Sequence, residues 1–511
     1  MNPDRNHHTL RIVLLLLPLA ALPLYAQTPD LRLVEAAQNR DAAAVRSLLA
    51  QGTNVNAAQA DGATALSWAA HWNDLESADL LIRAGANANA ANEYGVTPLS
   101  LACTNRSAEM VTKLLAAGAD PNAAQHNGET PLMTCARTGS VEAVRALLAR
   151  GANPNVKETR RGQTPLMWAV AGKHSEVTRL LVDARADVRA RSNTGFTPLL
   201  FAAQQGDLES ARILLAAGAD VEESTPEHGS ALVIAAASGQ EQLGIYLLER
   251  GAKANVADQY GVTALHYAVG KGLSLLTGIV YDPAYRVRPS NLPKLAQALV
   301  ANGADVNARV TKGYPNYLVS PDAPPITLAG ATPFFLAAVA ADVDLMRALA
   351  QAGADITLRG RGNTTPLMVA AGAAQDATTR RNEQEQKSAF EAVKLLVELG
   401  ADVNAINDEG QTAMHSAAFN GSDDIVEFLA SHGAAVDVRD KNGETPWSMA
   451  AGIAPVLRYR GLYGTHPTTV ALLEKLGARP VSREEMDSSR NPRTQALPSA
   501  APPDSPAPGT R

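Results

Sequence analysis

The stretch Gly118-Ala119-Asp120-Pro121-Asn122-Ala123, followed by Asn127-Gly128-Glu129-Thr130-Pro131-Leu132, decides the fold, because versions of it return along most of the 511 residues. Each copy has a Thr or Ser anchor followed by Pro or Ala, and the first five anchors are 33, 33, 34 and 33 residues apart. A fixed period of this size predicts a solenoid of stacked repeats. The eleven anchors are Thr64, Thr97, Thr130, Thr164, Thr197, Ser230, Thr263, Thr332, Thr365, Thr412 and Thr445.

Each repeat is predicted to hold two helices. Thr130 suits the N-cap of the first helix, and Pro131 suits its first turn, where a missing N–H costs nothing. The second helix has one apolar stripe at helical spacing, as in Ala108, Val111, Leu114 and Leu115. A glycine such as Gly118 then supplies the left-handed residue that ends a helix.

These residues resemble the ankyrin repeat over roughly Pro29 to Ala478. The resemblance implies an all-α repeat fold, an ankyrin solenoid of about 11 to 12 helix-turn-helix units with hairpin loops, interrupted by insertions in the C-terminal half. The histidine common after Thr-Pro-Leu in that family occurs only as His266 and His415. We therefore expect the hydrogen bonds of that histidine between neighbouring repeats to be absent from the others.

Both ends of the chain differ from the repeats. Residues 1–26 read as a cleavable secretory signal peptide, with an uncleaved anchor as the alternative, which predicts a periplasmic or secreted protein with no membrane span in the mature chain. The Ala-Gln junction and the Ala-rich composition suggest a bacterial source. Residues 27–478 form the predicted solenoid, and the Pro- and Ser-rich residues 479–511 are predicted to be a disordered tail.

Four insertions break the repeat register, near residues 270–293, 310–328, 373–388 and 452–466. The third is polar, and we expect a solvated helix extension or a mobile loop. The other three contain six of the chain's 11 tyrosines. Tyr and Arg are frequent binding hot spots, although these side chains also suit local packing on the helices. The candidate binding residues of the insertions are Tyr281, Tyr285, Arg286, Tyr314, Tyr317, Tyr459 and Tyr463.

A second candidate surface follows from the resemblance, since ankyrin proteins usually bind protein partners through hairpin tips and the concave face of the first helices. Trp72 and Tyr94 should both face solvent there, which favours a binding role over chance exposure. The matching positions are His71, Trp72, Tyr94, His126, Arg137, Arg160, Arg161, Phe196, Gln204, Gln205, Tyr260 and Lys271.

Two cysteines, Cys103 and Cys135, lie in the first helices of adjacent repeats. Helix axes about 8 to 10 Å apart exceed the Cα separation of about 7 Å that a disulfide tolerates, so we expect buried free thiols.

Charge and motifs exclude other functions. The balance of 45 basic and 51 acidic residues, without basic runs, argues against nucleic-acid partners. No catalytic motif, cofactor motif or metal-ligand spacing appears in the sequence.

We therefore expect a monomeric, non-catalytic scaffold for protein–protein interaction, without cofactor or metal, whose partner is unidentified. The alternative is a ligand- or glycan-binding protein, or an unrecognised enzyme, with a pocket between the C-terminal insertions. A host-directed effector is a third hypothesis, and it rests on fold analogy alone.

Overall fold

The computed structural model describes residues 30–269, 291–312, 329–373, 382–453 and 464–488. The chain divides into two compact units, one ending at Asp120 and the other beginning at Pro121. Both units are built from helix-turn-helix repeats, and the described residues contain 25 α-helices and one two-stranded sheet. The predicted all-α repeat fold is confirmed.

The first helices begin directly after the anchors, as predicted. The Thr130 hydroxyl accepts a hydrogen bond from the Met133 amide at 3.4 Å, and Pro131 occupies the first turn. In the first unit these helices are Arg32–Gln38, Ala65–Trp72 and Pro98–Thr104. In the second unit they are Pro131–Thr138, Pro165–Ala171, Pro198–Gln205, Ala231–Ala237, Ala264–Ala268, Pro333–Ala340, Pro366–Met368, Ala413–Phe419 and Pro446–Ala450.

The second helices are mostly nine residues long and end at a left-handed glycine. Gly118 and Gly151 have φ angles of 85° and 82°, which an L side chain adopts only with strain. In the first unit these helices are Ala42–Ala50, Leu75–Arg83 and Ala108–Ala116. In the second unit they are Val141–Ala149, Ser175–Asp183, Leu208–Ala216, Glu241–Glu249, Pro293–Ala301, Val343–Gln351, Glu383–Glu398, Asp423–Ser431 and Pro467–Lys475.

The core of each unit is a thin layer of small and aliphatic side chains between stacked helices. In the first unit Leu66 and Leu99 are buried, and in the second Leu132, Leu166 and Leu199 are buried at the same position of successive repeats. Burial of each such leucine contributes roughly 1.5 to 3 kcal/mol. Stability is therefore distributed over local interfaces instead of one central core.

The hairpins that precede the first helices are joined at their tips by backbone hydrogen bonds. In the first unit the Glu93 amide donates to the Asp61 carbonyl at 2.7 Å. In the second unit the Asn193 amide donates to the Arg161 carbonyl at 2.8 Å. One hairpin pairs as a short antiparallel sheet, Ser224–Thr225 with Gly229–Ser230. These links keep successive hairpin tips in register.

Asparagine side chains in the loops after the second helices connect each repeat to the next. Their amide groups donate to the carbonyl of the glycine, or of Arg185, that ends the following repeat's second helix, at 2.9 to 3.3 Å. The oxygen of each asparagine accepts a hydrogen bond from the backbone amide two residues after that glycine or after Arg185, at 2.7 to 2.8 Å. We call this set the asparagine ladder: Asn56 and Asn89 in the first unit, and Asn122, Asn155, Asn255, Asn307 and Asn404 in the second.

His266 and His415 make the inter-repeat bonds that the sequence predicts for them. The Thr263 amide donates to Nδ1 of His266, so the proton lies on Nε2, which donates to the carbonyl of Ala308 at 3.1 Å. His415 bonds in the same way to Thr412 and to the carbonyl of Glu444. Within the described residues, the hydroxyls of Ser67 and Ser100 bond to their own anchor threonines and not to a neighbouring repeat.

The second half departs from the regular repeat in two places. Glu383–Glu398 is a 16-residue helix, so the described end of the polar insertion extends a second helix. The fold also continues past Ala478, where we expected a disordered tail. Val481 and Met486 are buried, and Arg483–Ser488 is helical. Packed structure therefore extends to Met486.

Cys103 and Cys135 are both disulfide-bonded, and no described cysteine is a free thiol. The expectation of free thiols is wrong. It compared a limit on Cα separation with a distance between helix axes. A Cα atom lies about 2.3 Å from its axis, so two facing Cα atoms are closer together than the axes are.

Candidate partner-binding surface

Each first helix shares a surface with the hairpin that precedes it. In the first unit the indole N–H of Trp68 donates to Gln59 of its hairpin at 3.1 Å. In the second unit the hydroxyl of Tyr267 donates to Asp258 at 2.7 Å. These bonds hold each first helix against the hairpin that precedes it. We call the solvent-facing side of the first helices, together with the hairpins that precede them, the helix–hairpin surface of each unit.

In the first unit this surface carries an aromatic cluster on the helix Ala65–Trp72. The rings of Trp68 and Trp72 are stacked with centroids 6.3 Å apart, and the His71 ring meets that of Trp72 edge-on at 4.5 Å. Trp68 is half-buried, whereas Trp72 is 42% exposed. The helix spacing that places residues three and four apart on one face explains the cluster. It offers a rigid apolar patch for contact.

Tyr94 lies at the tip of the next hairpin in the first unit and is 63% exposed. Its amide donates to the Asn92 side chain at 3.0 Å, which fixes the turn that presents the ring. A hydrogen bond to Glu93, and the negative charge of that carboxylate, raise the pKa of Tyr94. The phenol therefore remains a hydrogen-bond donor at neutral pH. The prediction that Trp72 and Tyr94 face solvent is confirmed.

In the second unit Arg137 lies over an aromatic ring of the next repeat. Its guanidinium carbon is 5.5 Å from the centroid of Trp168, a cation–π geometry. His174 bonds to the Arg137 carbonyl at 3.0 Å and so holds the end of this helix. Arg137 is exposed and Trp168 is half-buried. The pair presents a positive charge beside an apolar face.

The hairpin that precedes Thr164 exposes two arginines and contains a buried acid. The carboxylate of Glu158, 5% exposed, accepts backbone amides of Arg160 at 2.7 Å, Arg161 at 2.8 Å and Gln163 at 2.9 Å. The carboxylate thereby fixes the tip. The side chains of Arg160 and Arg161 are exposed, and neither pairs with a described side chain.

The other predicted surface residues in the described part of the chain differ in exposure. His126 is exposed at its hairpin tip, and Tyr260 is half-buried. Gln204 is exposed and Gln205 half-buried at the end of their helix.

Phe196 does not belong to the surface, which corrects the prediction. It is only 8% exposed and packs against Phe201 at 5.4 Å and His228 at 5.2 Å. Phe196 directly precedes its anchor, and at that position Val262 and Ala331 are also buried. Hairpin tips lie three and four residues before the anchor instead.

Sequence reasoning missed two basic residues of the second unit's surface. Lys157 donates to the Arg191 carbonyl at 2.7 Å, and the Arg191 guanidinium donates to the Gly195 and Ser224 carbonyls at 3.0 and 3.2 Å. Their contacts join successive hairpins. If the hairpins are aligned on their anchors, both residues fall six or seven positions before the anchor. Inspection of those positions, and not only of the tips, would have found them.

Several predicted binding residues lie outside the described residues, and with them the pocket between the C-terminal insertions. They are Lys271, Tyr281, Tyr285, Arg286, Tyr314, Tyr317, Tyr459 and Tyr463.

The described residues hold neither a cluster of metal-ligating side chains nor a helix that could cross a membrane. Over the described ranges, no group of three or more His, Cys, Asp or Glu side chains is placed to hold a metal ion. No helix in the described part of the chain has the length and apolar character needed to cross a membrane.

Two models of known families match the repeats of this chain, and both describe ankyrin repeats. A family model described as ankyrin repeats in three copies matches residues 33–125, 132–225, 199–282 and 384–459, more than half of the chain. A second model, ankyrin repeats in many copies, matches residues 109–148.

Three similar proteins come from a plant and from mouse. The chain is 32% identical over 158 residues to the E3 ubiquitin-protein ligase KEG of Arabidopsis thaliana, covering 30% of this chain and 8% of that protein. It is 35% identical over 101 residues to mouse ankyrin repeat and SOCS box protein 16, covering 20% and 21%. It is 47% identical over 66 residues to mouse 2-5A-dependent ribonuclease, covering 13% and 9%. The chain thus spans about a fifth or less of the length of these relatives.

Ankyrin repeats generally mediate protein–protein interaction and are typically not catalytic themselves. The caps, the asparagine ladder and the family match agree, and the chain belongs to the ankyrin-repeat family.

Proposed function

We propose that this protein is a non-catalytic scaffold that binds a partner protein through the helix–hairpin surface of its ankyrin repeats. Surfaces of this kind offer rigid side chains on stacked helices, so a partner is bound with little loss of conformational entropy on the scaffold side.

The exposure of Trp72 and Tyr94 carries this proposal. Among the described residues four large apolar side chains are exposed: Trp72, Tyr94, Leu399 and Ile406. Two of the four lie on the helix–hairpin surface of the first unit. Trp and Tyr are enriched among residues that dominate binding energy, and Trp72 is held by its contacts with Trp68 and His71. A rigid, exposed aromatic cluster suits an interface better than a bare protein surface.

We further propose that the protein works in an oxidising compartment outside the bacterial cytoplasm. The signal-peptide pattern of residues 1–26 supports export. Disulfide-bonded Cys103 and Cys135 support it independently, because disulfides persist in the periplasm and outside cells but are rare in the cytosol.

Partner capture by the full chain tests the scaffold function. The double variant Trp72→Ala, Tyr94→Ala and the wild type are used to capture cross-linked partners from an extract of the source organism. We expect recovery of the main partner to fall by about tenfold or more, because hot-spot aromatics contribute about 2 kcal/mol each to binding.

The matched control is Leu399→Ala, Ile406→Ala, which removes the other two exposed apolar side chains. We expect it to retain the partner. Both variants should remain folded in thermal unfolding, since loss of the Trp72 ring contacts costs about 0.5 to 1.5 kcal/mol and the other exposed substitutions about 0.5 kcal/mol or less each. Equal recovery with both double variants would refute the proposed surface.

A further inference from the structure

The second unit's helix–hairpin surface carries an excess of positive charge across three successive repeats. Arg137 is exposed on the helix Pro131–Thr138, Arg160 and Arg161 are exposed at the tip of the next hairpin, and Lys157 and Arg191 lie within that hairpin and the one after it. The whole chain has a net charge of −6, so this concentration is not a general property of the protein.

The acidic side chains next to these basic residues bond to other groups of the protein. Glu158 is buried and bound to three backbone amides of its own hairpin. Glu129 accepts from the Thr134 hydroxyl at 2.7 Å and is 3.9 Å from Arg137. Glu223, which interacts with Arg191, is buried and bonded to Thr197, and its burial raises its pKa. These three acids therefore present little charge outward, whereas Glu227 is exposed at the tip of the following hairpin.

The arginines remain available to a partner. Arg160 and Arg161 form no ion pair with any described residue, and the Arg191 guanidinium donates to carbonyl oxygens, with the buried Glu223 as the acid that interacts with its charge. A guanidinium binds a carboxylate through two parallel hydrogen bonds, so these groups match Asp and Glu side chains.

An apolar strip accompanies the charges. Trp168 and Phe201 occupy the same position of adjacent first helices, four residues after their anchors, and both are half-buried. Their partly exposed faces suit one aromatic or aliphatic side chain of a ligand. Two steps between repeats, about 8 to 10 Å each, span about 16 to 20 Å. An extended peptide of about six or seven residues covers that distance at roughly 3.3 Å per residue.

We propose that this surface of the second unit binds an extended acidic peptide segment of a partner protein, with Arg137, Arg160, Arg161 and Arg191 contacting carboxylates and Trp168 contacting a central apolar side chain. The proposal rests on the proposed scaffold function and names the chemistry of its partner.

The test measures binding of a fluorescein-labelled peptide, a Phe flanked on both sides by glutamates and about seven residues long, to the full chain by fluorescence anisotropy. A library of random peptides is selected on the same protein in parallel. The test variant is Arg160→Glu, Arg161→Glu. The control, Arg145→Glu, Arg250→Glu, changes the net charge equally at exposed arginines away from the hairpins.

We expect acidic peptides to be enriched and the labelled peptide to bind. We also expect about tenfold or greater weakening in the test variant and about twofold or less in the control. Circular dichroism confirms that both variants are folded. Peptides enriched without acidic residues, or equal weakening in both variants, would overturn this inference alone.

Two other outcomes are separable. If single-stranded DNA binds as tightly as the acidic peptides and is lost in the same variant, the surface is a general polyanion site and the peptide assignment is wrong. If the wild type retains neither peptides nor any partner in the capture experiment, the proposed scaffold function fails together with this inference.

Discussion

The side-chain amide of Asn122 donates a hydrogen bond of 3.1 Å to the carbonyl oxygen of Gly151, 29 residues later. The oxygen of the same side chain accepts the Asn153 amide at 2.8 Å. One side chain thus serves two backbone groups of the loop that follows the helix Val141–Ala149. The ladder of such residues holds the loops of neighbouring repeats in register.

Asn122→Ala should destabilise the second unit by about 1 kcal/mol, because both bonds are lost but their backbone partners remain accessible to water. The measurement is the midpoint of urea unfolding at constant slope. Glu142→Ala, an exposed change on the second helix of the repeat that follows Asn122, is the control and should alter stability by about 0.5 kcal/mol or less. Equal midpoints for the two variants would show that the ladder contributes nothing.

His266 should make stability depend on pH. Burial lowers its pKa from 6.5 to about 4. Below pH 6.5 the unfolded chain binds a proton at this residue, whereas the folded chain stays neutral until about pH 4. The free energy of unfolding should therefore fall as pH decreases from 6.5 to 4, by up to about 3 kcal/mol, and this contribution should be constant below pH 4.

His266→Ser, which introduces the residue found at this position in other repeats, should remove that part of the pH dependence. His126→Ser, at an exposed hairpin tip, serves as the control. Urea unfolding at several pH values between 4 and 7 measures the slope. An unchanged slope in His266→Ser would mean that this histidine does not resist protonation.

Arg185→Gly should stabilise the second unit. Arg185 has a φ of 64° at the helix end where the neighbouring repeats have Gly151 and Gly218. A side chain in this left-handed conformation costs about 1 kcal/mol relative to glycine. Its carbonyl, which accepts from Asn155, is unaffected by the change. We expect the free energy of unfolding to rise by about 1 kcal/mol.

Gly151→Ala provides the reverse experiment. Nothing lies within 4 Å of the position that an added Cβ atom would occupy, so only backbone strain is introduced. It should lower stability by about 1 kcal/mol. A stabilising effect of Gly151→Ala, or a destabilising one of Arg185→Gly, would contradict this account of the helix ends.

Neither cysteine should react with iodoacetamide when the protein is denatured without a reducing agent, because Cys103 and Cys135 are both disulfide-bonded. After reduction, both should be alkylated, as mass spectrometry of the intact chain will show. Full alkylation before reduction would contradict the disulfide and remove its support for an oxidising compartment.

The sequence predicts the repeats well and the binding surface less well. Thr130, Pro131 and Gly118 act within one turn of their own helix, so their roles could be inferred directly. Trp72 and Tyr94 were also predicted to be exposed, because the repeat assigns their positions to solvent. Phe196 was predicted to lie on the surface, but it is buried directly before its anchor, as Val262 and Ala331 also are.

What the sequence alone determined is the period, the helix caps and the left-handed glycines, since these depend on residues a few positions apart. The tertiary structure decided which residues pair across repeats, such as Asn122 with Gly151 and Arg137 with Trp168. It also decided that Glu158 turns its charge inward while Arg160 and Arg161 remain free. Such contacts join residues far apart in the chain or depend on side-chain orientation, and repeat spacing specifies neither.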